Sequence, residues 1–578
     1  MTAPSHYQQA IIDHVVESFR ARRRGLAHRN LVVQATAGSG KSSTLRMVCE
    51  ALAPLGARVD VVSFNSRVAK DASARLPSCA RSLTLHAAGK RAWESLCGRR
   101  FNEAGKMRDG DGELSKEKTR RIIAKMKSTG AIDRYVKDGH VSKLVSRAKG
   151  CGLVPAVPQR DPETGEVAVR PVRAGVANPV ELAPLVEDTD AVWRDLIALC
   201  EVQTPAPGPL VAAARAVLAK SVESSQAIID FDDMVYLAAI CPDARFEVRD
   251  AVMVDEAQDL DPMQRSMVVK MVQSSDVPSI GVCVGDRRQA IYSWRGADID
   301  SLDRLKADLD ADELPLSRCY RCPTSHVALA REVAPEIEAA PGAAEGEVVE
   351  YDAGVLYDLQ TGERCRFSKP DPNCNELRYF PRARDFLPGD AVVCRMNAPL
   401  VAMAYALLRA KVPFRMLGKD FGRGVAQLVE DARATTAGGV LATLRTRLDR
   451  LEAEDRKARA AGHLDDGPSA GTAALREKLE VVQAVLDGMD GEPSPADLCR
   501  ELEAIFSGDA DGAGCVTLAT VHGSKGGEWD RVWVLDRDLM RAKPGASSKR
   551  ATELANLKFV SLTRARRSLF FISSKNIP

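Results

Sequence analysis

Residues 31–45 of this chain read Leu31-Val-Val-Gln-Ala-Thr-Ala-Gly-Ser-Gly-Lys-Ser-Ser-Thr-Leu45 and indicate its fold class. Its apolar start, followed by small residues, predicts a strand buried on both faces of a parallel sheet, then a tight turn and a helix. Glycines in the turn let backbone N–H groups point at phosphate oxygens, a lysine can reach the outer phosphates, and a hydroxyl can hold Mg²⁺. The residues expected to contact a nucleotide here are Gly38, Ser39, Gly40, Lys41, Ser42 and Ser43.

This loop departs from the usual phosphate-binding pattern at one position. The pattern begins with glycine, whereas this chain has Ala35. An ordinary glycine-rich turn is therefore the alternative interpretation. The two are distinguished by whether the other parts of a nucleotide-hydrolysing site follow in order.

Composition sets the class of protein. A chain of 578 residues with 45% apolar and 28% charged residues is typical of soluble proteins with several domains. Its formal net charge is only +2, so a nucleic-acid surface would be a local groove. The 14 cysteines are mostly scattered singly, which favours reduced thiols. With neither a signal pattern nor an apolar run of bilayer length, we expect a cytoplasmic protein that does not contact membranes.

Two further apolar runs end in residues suited to nucleotide hydrolysis. The run over residues 251–254 leads directly into Asp255 and Glu256. Asp255 is expected to hold Mg²⁺ together with Ser42, and Glu256 to orient and deprotonate the attacking water. A second run, over residues 280–284, leads to Gln289, which can sense the γ-phosphate.

Aromatic side chains near the predicted strand ends are candidates for stacking on nucleic-acid bases. Phe64 closes a predicted strand, and His86 lies in a later short run; a core role is the alternative for both. Tyr292 and Trp294 follow Gln289 on a predicted exposed loop, where a core role explains aromatic residues less well.

Together these motifs resemble those of superfamily 1 DNA helicases of the UvrD/Rep/PcrA branch, with some likeness to F-box helicase relatives at Phe64-Asn65. The remaining motifs of that family occur in order, over residues 316–321, 516–529 and 556–565. The resemblance implies ATP and Mg²⁺ as cofactors. It implies single-stranded DNA, and its junctions with duplex, as the partner, while protein partners are not identified.

The resemblance also assigns roles to single residues. An amide suits the paired edge of adenine, and Gln8 would read that base. Tyr320 would stack on adenine and Glu528 would contact the ribose. Arg321 and Arg564 would act as arginine fingers on the phosphates.

The architecture implied by the resemblance is α/β, with two RecA-like P-loop motor domains that each carry a mainly helical insertion. The expected pieces are 1–96 with 226–310 for the first motor domain, 97–225 for its insertion, 311–422 with 511–578 for the second motor domain, and 423–510 for a short helical accessory subdomain. Basic helix faces over 116–127 and 143–149 are candidate contacts for the phosphate backbone, with solvated helix surface as the equal alternative.

Three departures from the family pattern stand out. Cys319 and Cys322 replace an Asn and a Ser or Thr, and Arg287-Arg288 occupy a usually acidic or neutral position. None of these changes removes a catalytic group. A four-thiolate zinc site with Cys365 and Cys374 is an alternative, which we disfavour because a metal would obstruct the arginine-finger loop.

Polarity also follows from the resemblance. The 5′-to-3′ branch typified by RecD and Dda usually has Gln-Gly where this chain has Lys525-Gly526. We therefore expect ATP-dependent 3′-to-5′ movement on single-stranded DNA with separation of duplex, in repair, recombination or replication. A translocase without strand separation, serving a nuclease, protein-displacement or phage-defence complex, is one alternative. A binding switch without turnover is another, which Glu256, Arg321 and Arg564 disfavour.

Overall fold

A computed structural model of the chain describes residues 3–63, 66–160, 167–175, 180–200, 202, 204, 206–291, 300–351, 357–358, 377–378, 385–460, 468–506 and 514–574. The chain divides into two compact units. The first holds Met1–Ala35 and Gly40–Leu316, and the second holds Thr36–Ser39 and Ser317–Pro578. Each unit is built on a parallel six-stranded sheet, which confirms the predicted α/β fold class.

The first unit alternates strands and helices. Its strands are β1 (Asn30–Ala35), β2 (Val59–Ser63), β3 (Ala80–Thr84), β4 (Phe101–Asn102), β5 (Gly112–Leu114), β6 (Ala156–Arg160), β7 (Val167–Pro171), β8 (Arg173–Ala174), β9 (Val180–Glu181), β10 (Ile228–Ile229), β11 (Ala251–Val254), β12 (Ile280–Gly285) and β13 (Ala311–Leu316). Its helices are α1 (His6–Arg23), α2 (Lys41–Leu52), α3 (Ser66–Ser73), α4 (Leu85–Cys97), α5 (Lys118–Ser128), α6 (Asp138–Cys151), α7 (Asp190–Leu199), α8 (Pro207–Glu223), α9 (Phe231–Ile240), α10 (Pro262–Gln273) and α11 (Ser301–Asp308). Short 3-10 turns cover Ala53–Leu55, Ala104–Lys106, Ala257–Asp259 and Arg287–Gln289.

The first sheet has the strand order β13-β1-β12-β11-β2-β3. Helices cover both of its faces, so its central strands are apolar on both sides. In β1, Leu31 and Val33 pack in the core that includes residues of α1 and α2, whereas Val32 packs in the opposite core with residues of α4, α9 and α10. The continuous apolar runs of the sequence therefore correspond to strands that are buried on two faces.

The first unit extends beyond residue 310, the boundary expected from the sequence, because it includes strand β13. Residues 311–316 pair in parallel with the whole of β1, with Leu314 beside Val33. Pro315 is tolerated because β13 is an edge strand, where one side of the backbone forms no ladder. The first unit consequently runs to Leu316.

The insertion over residues 97–225 contains helices α5 to α8, but also the short strands β4 to β9. Strands β4 and β5 join β10 in a three-stranded sheet, while β6 pairs with β7 and β8 pairs with β9. A separate apolar cluster that includes Leu144, Trp193 and Leu218 holds the helices of this region together.

Lys118 and Lys149, which the sequence predicts to lie on basic helix faces, are buried instead. Lys118 Nζ lies 2.6 Å from one oxygen of Asp233, and Lys149 Nζ lies 2.8 Å from the other. Lys149 also contacts Asp230, the N-cap residue of α9, at 2.7 Å. Although burial raises the pKa of Asp233, the two ammonium groups hold it at about 2. These lysines join the insertion to α9 and are not available to a DNA backbone.

Removing the central carboxylate of this cluster is expected to destabilise the first unit. Asp233→Ala should lower its free energy of unfolding by about 3–5 kcal/mol, because two buried ammonium groups lose their shared partner. Urea unfolding of the purified chain measures the change. The control is Glu117→Ala, which removes the exposed partner of Arg120 and should cost at most about 1 kcal/mol. Equal effects of the two variants would contradict the buried cluster.

The second unit contains a second parallel sheet with helices around it. Its strands are β14 (Arg318–Cys319), β15 (Glu338–Ala339), β16 (Glu347–Glu350), β17 (Tyr357–Asp358), β18 (Leu377–Arg378), β19 (Ala391–Cys394), β20 (Phe414–Met416), β21 (Val516–Thr520), β22 (Trp529–Leu535) and β23 (Ala565–Ile572). Its helices are α12 (Thr324–Ala330), α13 (Asn397–Arg409), α14 (Lys419–Asp431), α15 (Ala437–Ala460), α16 (Ala470–Gly488), α17 (Pro495–Phe506) and α18 (Ser548–Leu562), with a 3-10 turn at Arg537–Met540. The sheet order is β16-β23-β22-β19-β21-β20.

Helices α14 to α17 occupy the part of the second unit where the short helical subdomain was expected. They pack on β20 and β21 through one apolar cluster that includes Val425, Leu444, Val482 and Leu502. In the described part of the chain, no helix combines the length and the apolar character needed to span a bilayer, and no disulfide joins two cysteines.

Candidate functional site

The phosphate loop lies between β1 and α2. Gly38 and Gly40 have φ values of 65° and 84°, which glycine adopts without steric cost. Gly40 is the N-cap of α2 and provides no side chain to bond the first N–H groups of that helix. Those N–H groups are therefore available to an anion. Ser39 is buried and its hydroxyl donates to the carbonyl of Thr36 at 2.8 Å, which stabilises the turn.

Ala35, the departure from the usual loop pattern, is the last residue of β1. It is fully buried and pairs with Leu316 of β13. The loop thus turns only after this residue, where the two glycines supply the left-handed backbone.

The end of β11 brings two carboxylates to the start of α2. Lys41 Nζ lies 3.3 Å from Glu256 Oε1, and the Ser42 hydroxyl donates to Asp255 Oδ2 at 2.7 Å. Burial alone would lower the pKa of Lys41, but Glu256, Asp286 and Asp255 outweigh it and raise that pKa. The lysine is therefore charged at neutral pH and faces a cluster of carboxylates.

Ser42 and Asp255 are suited to hold Mg²⁺. Both present oxygen ligands, which this cation prefers, and the two oxygens already lie within hydrogen-bond distance. Burial and the neighbouring Glu256 raise the pKa of Asp255 to about 6, against the effects of Lys41 and Ser42. A divalent cation would relieve this excess of buried negative charge.

Gln289 follows β12 and is buried. Its amide donates to Asp286 Oδ2 at 2.6 Å. Burial raises the pKa of Asp286, whereas the charge of Lys41 and the hydrogen bond from Gln289 act to lower it. Sequence reasoning missed Asp286, as it missed Gln258, which contacts Glu256. Gln258 closely follows β11 and Asp286 directly follows β12, and this position after a buried strand was the available signal.

A cavity of about 440 Å³ adjoins the phosphate loop. It is lined by Ser42, Ser43 and Asp255, and also by two arginines that sequence reasoning missed, Arg46 and Arg75. Arg46 lies one helical turn after Ser42, a spacing that could have indicated it. Arg75 follows α3, and only the fold brings it here.

Gln8 is placed beside the phosphate loop but is already bonded. Its side chain accepts from the N–H of Ser5 at 3.0 Å, in the capping box of α1, and donates to Thr44 at 3.2 Å. An added Cβ on Gly40 would lie 3.6 Å from the Gln8 amide nitrogen. To bind adenine, the Gln8 side-chain amide would have to replace these hydrogen bonds with bonds to the base.

In the second unit, the amino acids predicted to contact the nucleotide lie in one region. Arg321 donates to Glu528 Oε2 at 2.6 Å and to the carbonyl of Thr563 at 3.2 Å. Tyr320 is 52% exposed, so its ring is available for stacking. Arg564 is buried, and donates to the carbonyls of Val560 and Gly527.

The residues that depart from the family pattern have structural partners. Arg287 bonds Asp303 at 2.6 Å and Glu313 at 3.0 Å, so its charge is paired within the first unit. Cys319 and Cys322 are buried, and the N–H of Cys322 donates to Cys319 Sγ at 3.4 Å.

The zinc alternative finds no support in the part of the chain that the structure describes. No group of three or more metal-ligating His, Cys, Asp or Glu side chains occurs there. Cys365 and Cys374, the two other residues of that alternative, lie outside the described residues.

Among the predicted DNA-contacting residues, His86 is described and Phe64, Tyr292 and Trp294 lie outside the described residues. The His86 ring stacks on Phe231, with centroids 4.0 Å apart. Burial lowers the pKa of His86 to about 4, so the ring is neutral at pH 7. Phe231 is 54% exposed at the start of α9, and sequence reasoning missed it.

Comparison with known proteins gives matches over both units. The family profile described as UvrD/REP helicase N-terminal domain matches residues 19–310, and the one described as UvrD-like helicase C-terminal domain matches residues 497–576. The chain is 29% identical over 379 residues to ATP-dependent DNA helicase UvrD2 of Mycobacterium tuberculosis (strain H37Rv), which covers 59% of this chain and 50% of that protein.

Two other relatives match over shorter stretches. DNA helicase II of Escherichia coli (strain K12) is 27% identical over 175 residues, 29% of this chain and 22% of that protein. ATP-dependent DNA helicase PcrA of Leuconostoc citreum is 29% identical over 201 residues, 33% of this chain and 26% of that protein. The chain thus spans about half the length of the mycobacterial relative and less of the other two. Because the N-terminal family profile covers half of its residues, the chain belongs to the UvrD/REP helicase family.

Proposed function

We propose that this protein is an ATP-dependent DNA helicase that moves 3′-to-5′ along single-stranded DNA and separates duplex. The observation that carries the proposal is the convergence of Lys41, Ser42, Asp255 and Glu256 at one edge of the first sheet. The carboxyl ends of parallel strands meet at such an edge, where nucleotides bind in this class of fold.

ATP hydrolysis is assigned to the residues at this edge. The N–H groups at the start of α2 and the Lys41 ammonium would bind the phosphates. Ser42 and Asp255 would hold Mg²⁺, which supplies positive charge beside the phosphates. Glu256 would accept a proton from the attacking water, and Gln289 would contact the γ-phosphate.

The second unit is assigned the groups that complete hydrolysis. Arg321 and Arg564 would neutralise the charge that develops on the transferred phosphoryl group. Tyr320 would stack on adenine, and Glu528 would contact the ribose. The C-terminal family match, which includes Glu528 and Arg564, supports the roles of these two residues. Arg321 is ion-paired with Glu528, which supports a place for it in the same site.

DNA binding is assigned to aromatic residues of the first unit. Phe64, His86, Tyr292 and Trp294 are proposed to stack on successive bases, each stack contributing about 1–3 kcal/mol. Phe231 joins this set because its exposed ring already stacks on His86. Stacking does not depend on base identity, which suits a motor that must pass over any sequence.

Lys41→Ala is expected to reduce ATP turnover by about 10²–10³-fold and to weaken ATP binding, because a buried cation that faces the phosphates is lost. Steady-state hydrolysis and equilibrium binding of a fluorescent ATP analogue measure the two effects. Lys90→Ala, which removes a lysine ion-paired with Glu94 on α4, is the control and should hydrolyse ATP normally. Normal turnover in Lys41→Ala would show that the glycine-rich loop is not the phosphate site.

The helicase activity and its direction are tested with the purified chain. ATP hydrolysis should rise strongly on addition of single-stranded DNA, and duplex carrying a 3′ tail should be unwound while duplex with a 5′ tail stays intact. Unwinding from 5′ tails alone would contradict the polarity. Stimulation by DNA without any unwinding would instead favour a translocase that works within a larger complex, and binding without hydrolysis would favour a nucleotide-dependent switch.

A further inference from the structure

A buried glutamine lies between Glu256 and the residues that follow β12. Gln258 is fully buried, and its amide nitrogen donates to Glu256 Oε2 at 2.6 Å. Its amide oxygen accepts from the N–H of Asp286 at 3.0 Å. One side chain thus connects the proposed general base to the end of the neighbouring strand.

The connection continues through Asp286. One carboxylate oxygen of Asp286 accepts from the Gln289 amide at 2.6 Å, and the other accepts from the N–H of Arg288 at 2.9 Å. Hydrogen bonds therefore link Glu256 to Gln258, Gln258 to the backbone N–H of Asp286, and the Asp286 carboxylate to Gln289. In a buried setting such bonds are strong.

The backbone at the end of β12 leaves room for the Gln258 side chain. A Cβ added to Gly285 would lie 2.6 Å from the amide oxygen of Gln258 and 3.0 Å from its backbone nitrogen. Residue 285 has to be glycine for Gln258 to reach the N–H of Asp286. The last residue of β12 and the Gln258 side chain are therefore fitted to each other.

Glu256 depends on this contact for its orientation. The residue has a left-handed backbone, with φ of 55°, and precedes the 3-10 turn that carries Gln258. Lys41 lies 3.3 Å from one carboxylate oxygen and Gln258 donates to the other. Once the ammonium of Lys41 turns to the phosphates of bound ATP, the bond from Gln258 still orients the carboxylate.

We propose that Gln258 is a positioning residue that holds Glu256 in the orientation needed to accept the proton of the attacking water, and that joins it to Gln289 through Asp286. The inference rests on the proposed function, since it takes Glu256 as the base. It adds that Gln258 affects turnover through the orientation of Glu256, while the backbone N–H of Asp286 holds the other end of the Gln258 amide.

Gln258→Met tests this role, because it keeps the side-chain volume and removes both hydrogen bonds. The expected result is a fall in kcat of about 10²-fold, the effect of a small misplacement of a catalytic group. Binding of a non-hydrolysable ATP analogue should stay near the wild-type affinity. Loss of analogue affinity with kcat retained would overturn the proposal.

Asn30→Leu is a matched control at the opposite end of β12. Asn30 of β1 accepts from the N–H of Gly281 in β12 at 2.8 Å and donates to the carbonyl of Leu309, at the end of α11, at 2.7 Å, so it also links two other parts of the first unit. This variant should unfold more easily but keep its kcat. A fall in kcat as large as that of Gln258→Met would show that loosening the sheet is sufficient and would overturn the positioning role.

A double-mutant cycle identifies the residue through which Gln258 acts. In a Glu256→Gln background, Gln258→Met should cause no further loss of the residual single-turnover rate, because its effect passes through Glu256. A further loss of about 10²-fold there would overturn the proposal. Gln258→Glu keeps the acceptor for Asp286 but removes the donor to Glu256. It should be impaired like Gln258→Met, and it serves as the test if the methionine variant does not fold.

Failure of the inference and failure of the proposed function give different results. A wild-type chain that does not hydrolyse ATP, or a Glu256→Gln variant with the wild-type rate, would overturn both. Normal turnover by the Gln258 variants, in a chain that Glu256→Gln inactivates, would overturn the positioning role alone.

Discussion

Replacing Arg321 with alanine is expected to lower DNA-stimulated ATP turnover by about 10³–10⁵-fold, the contribution of an arginine that neutralises a transferred phosphoryl group. Binding of ATP should persist, because Lys41 and the start of α2, which would bind the phosphates, are left intact. Single-turnover hydrolysis with saturating single-stranded DNA measures the effect.

The structure provides a control for this substitution. Arg321 donates to Glu528 at 2.6 Å, and Arg566 lies 3.6 Å from the other oxygen of the same carboxylate and 3.2 Å from Asp530. Arg566→Ala therefore removes a positive charge beside Glu528 without removing the proposed finger. It should hydrolyse ATP at nearly the wild-type rate.

Arg321→Lys separates charge from geometry. Lysine keeps the charge but loses the planar fork that allows Arg321 to bond Glu528 and the Thr563 carbonyl together. We expect this variant to remain strongly impaired. If Arg321→Ala and Arg566→Ala were equally active, the assignment of Arg321 as a finger would be wrong.

Glu256→Gln is the second substitution with a large expected effect. Turnover should fall by about 10²–10⁴-fold, because an amide of the same size cannot accept the proton of the attacking water. ATP binding should be retained, since Lys41 loses an ion-pair partner at 3.3 Å and its ammonium is left to the phosphates. Rapid-quench hydrolysis and equilibrium ATP binding, measured on one preparation, distinguish the two steps.

A carboxylate outside the site serves as the control for this change. Glu247 is an exposed residue that pairs with Arg81 at 2.9 Å and Arg249 at 2.8 Å. Glu247→Gln makes the same chemical change and should leave turnover unaltered. Loss of ATP binding in Glu256→Gln would indicate that Glu256 holds the site together and does not act as the base.

Much of the first unit could be predicted from the sequence, for a local physical reason. Apolar runs such as 31–33 and 251–254 become strands that are buried on both faces, because helices cover the two sides of the sheet. The groups that follow those strands, including Lys41 and Glu256, must then meet at one edge. The convergence of the candidate site thus follows from the order of motifs along the chain.

Features that depend on residues distant in the chain could not be predicted from the sequence. The sequence of β13 contains Pro315 and charged residues, and only pairing with β1 makes it a strand of the first sheet. The sequence pattern around Lys118 and Lys149 indicates either contacts to a phosphate backbone or solvated helix surface. Asp233 of a remote helix instead pairs with both lysines and makes their burial possible.

The hydrogen bonds of Gln258 show the same difference at the site itself, between features that could be predicted from the sequence and features that depend on the fold. The chemical groups that follow each strand could be predicted from the sequence, because apolar patterning and chain order specify the sheet and its functional edge. Only the folded structure decided which of these groups touch: the 2.6 Å bond from Gln258 to Glu256 and the space at Gly285 depend on the packing of β11 beside β12. Hydrogen bonds need distances and angles that no linear pattern contains.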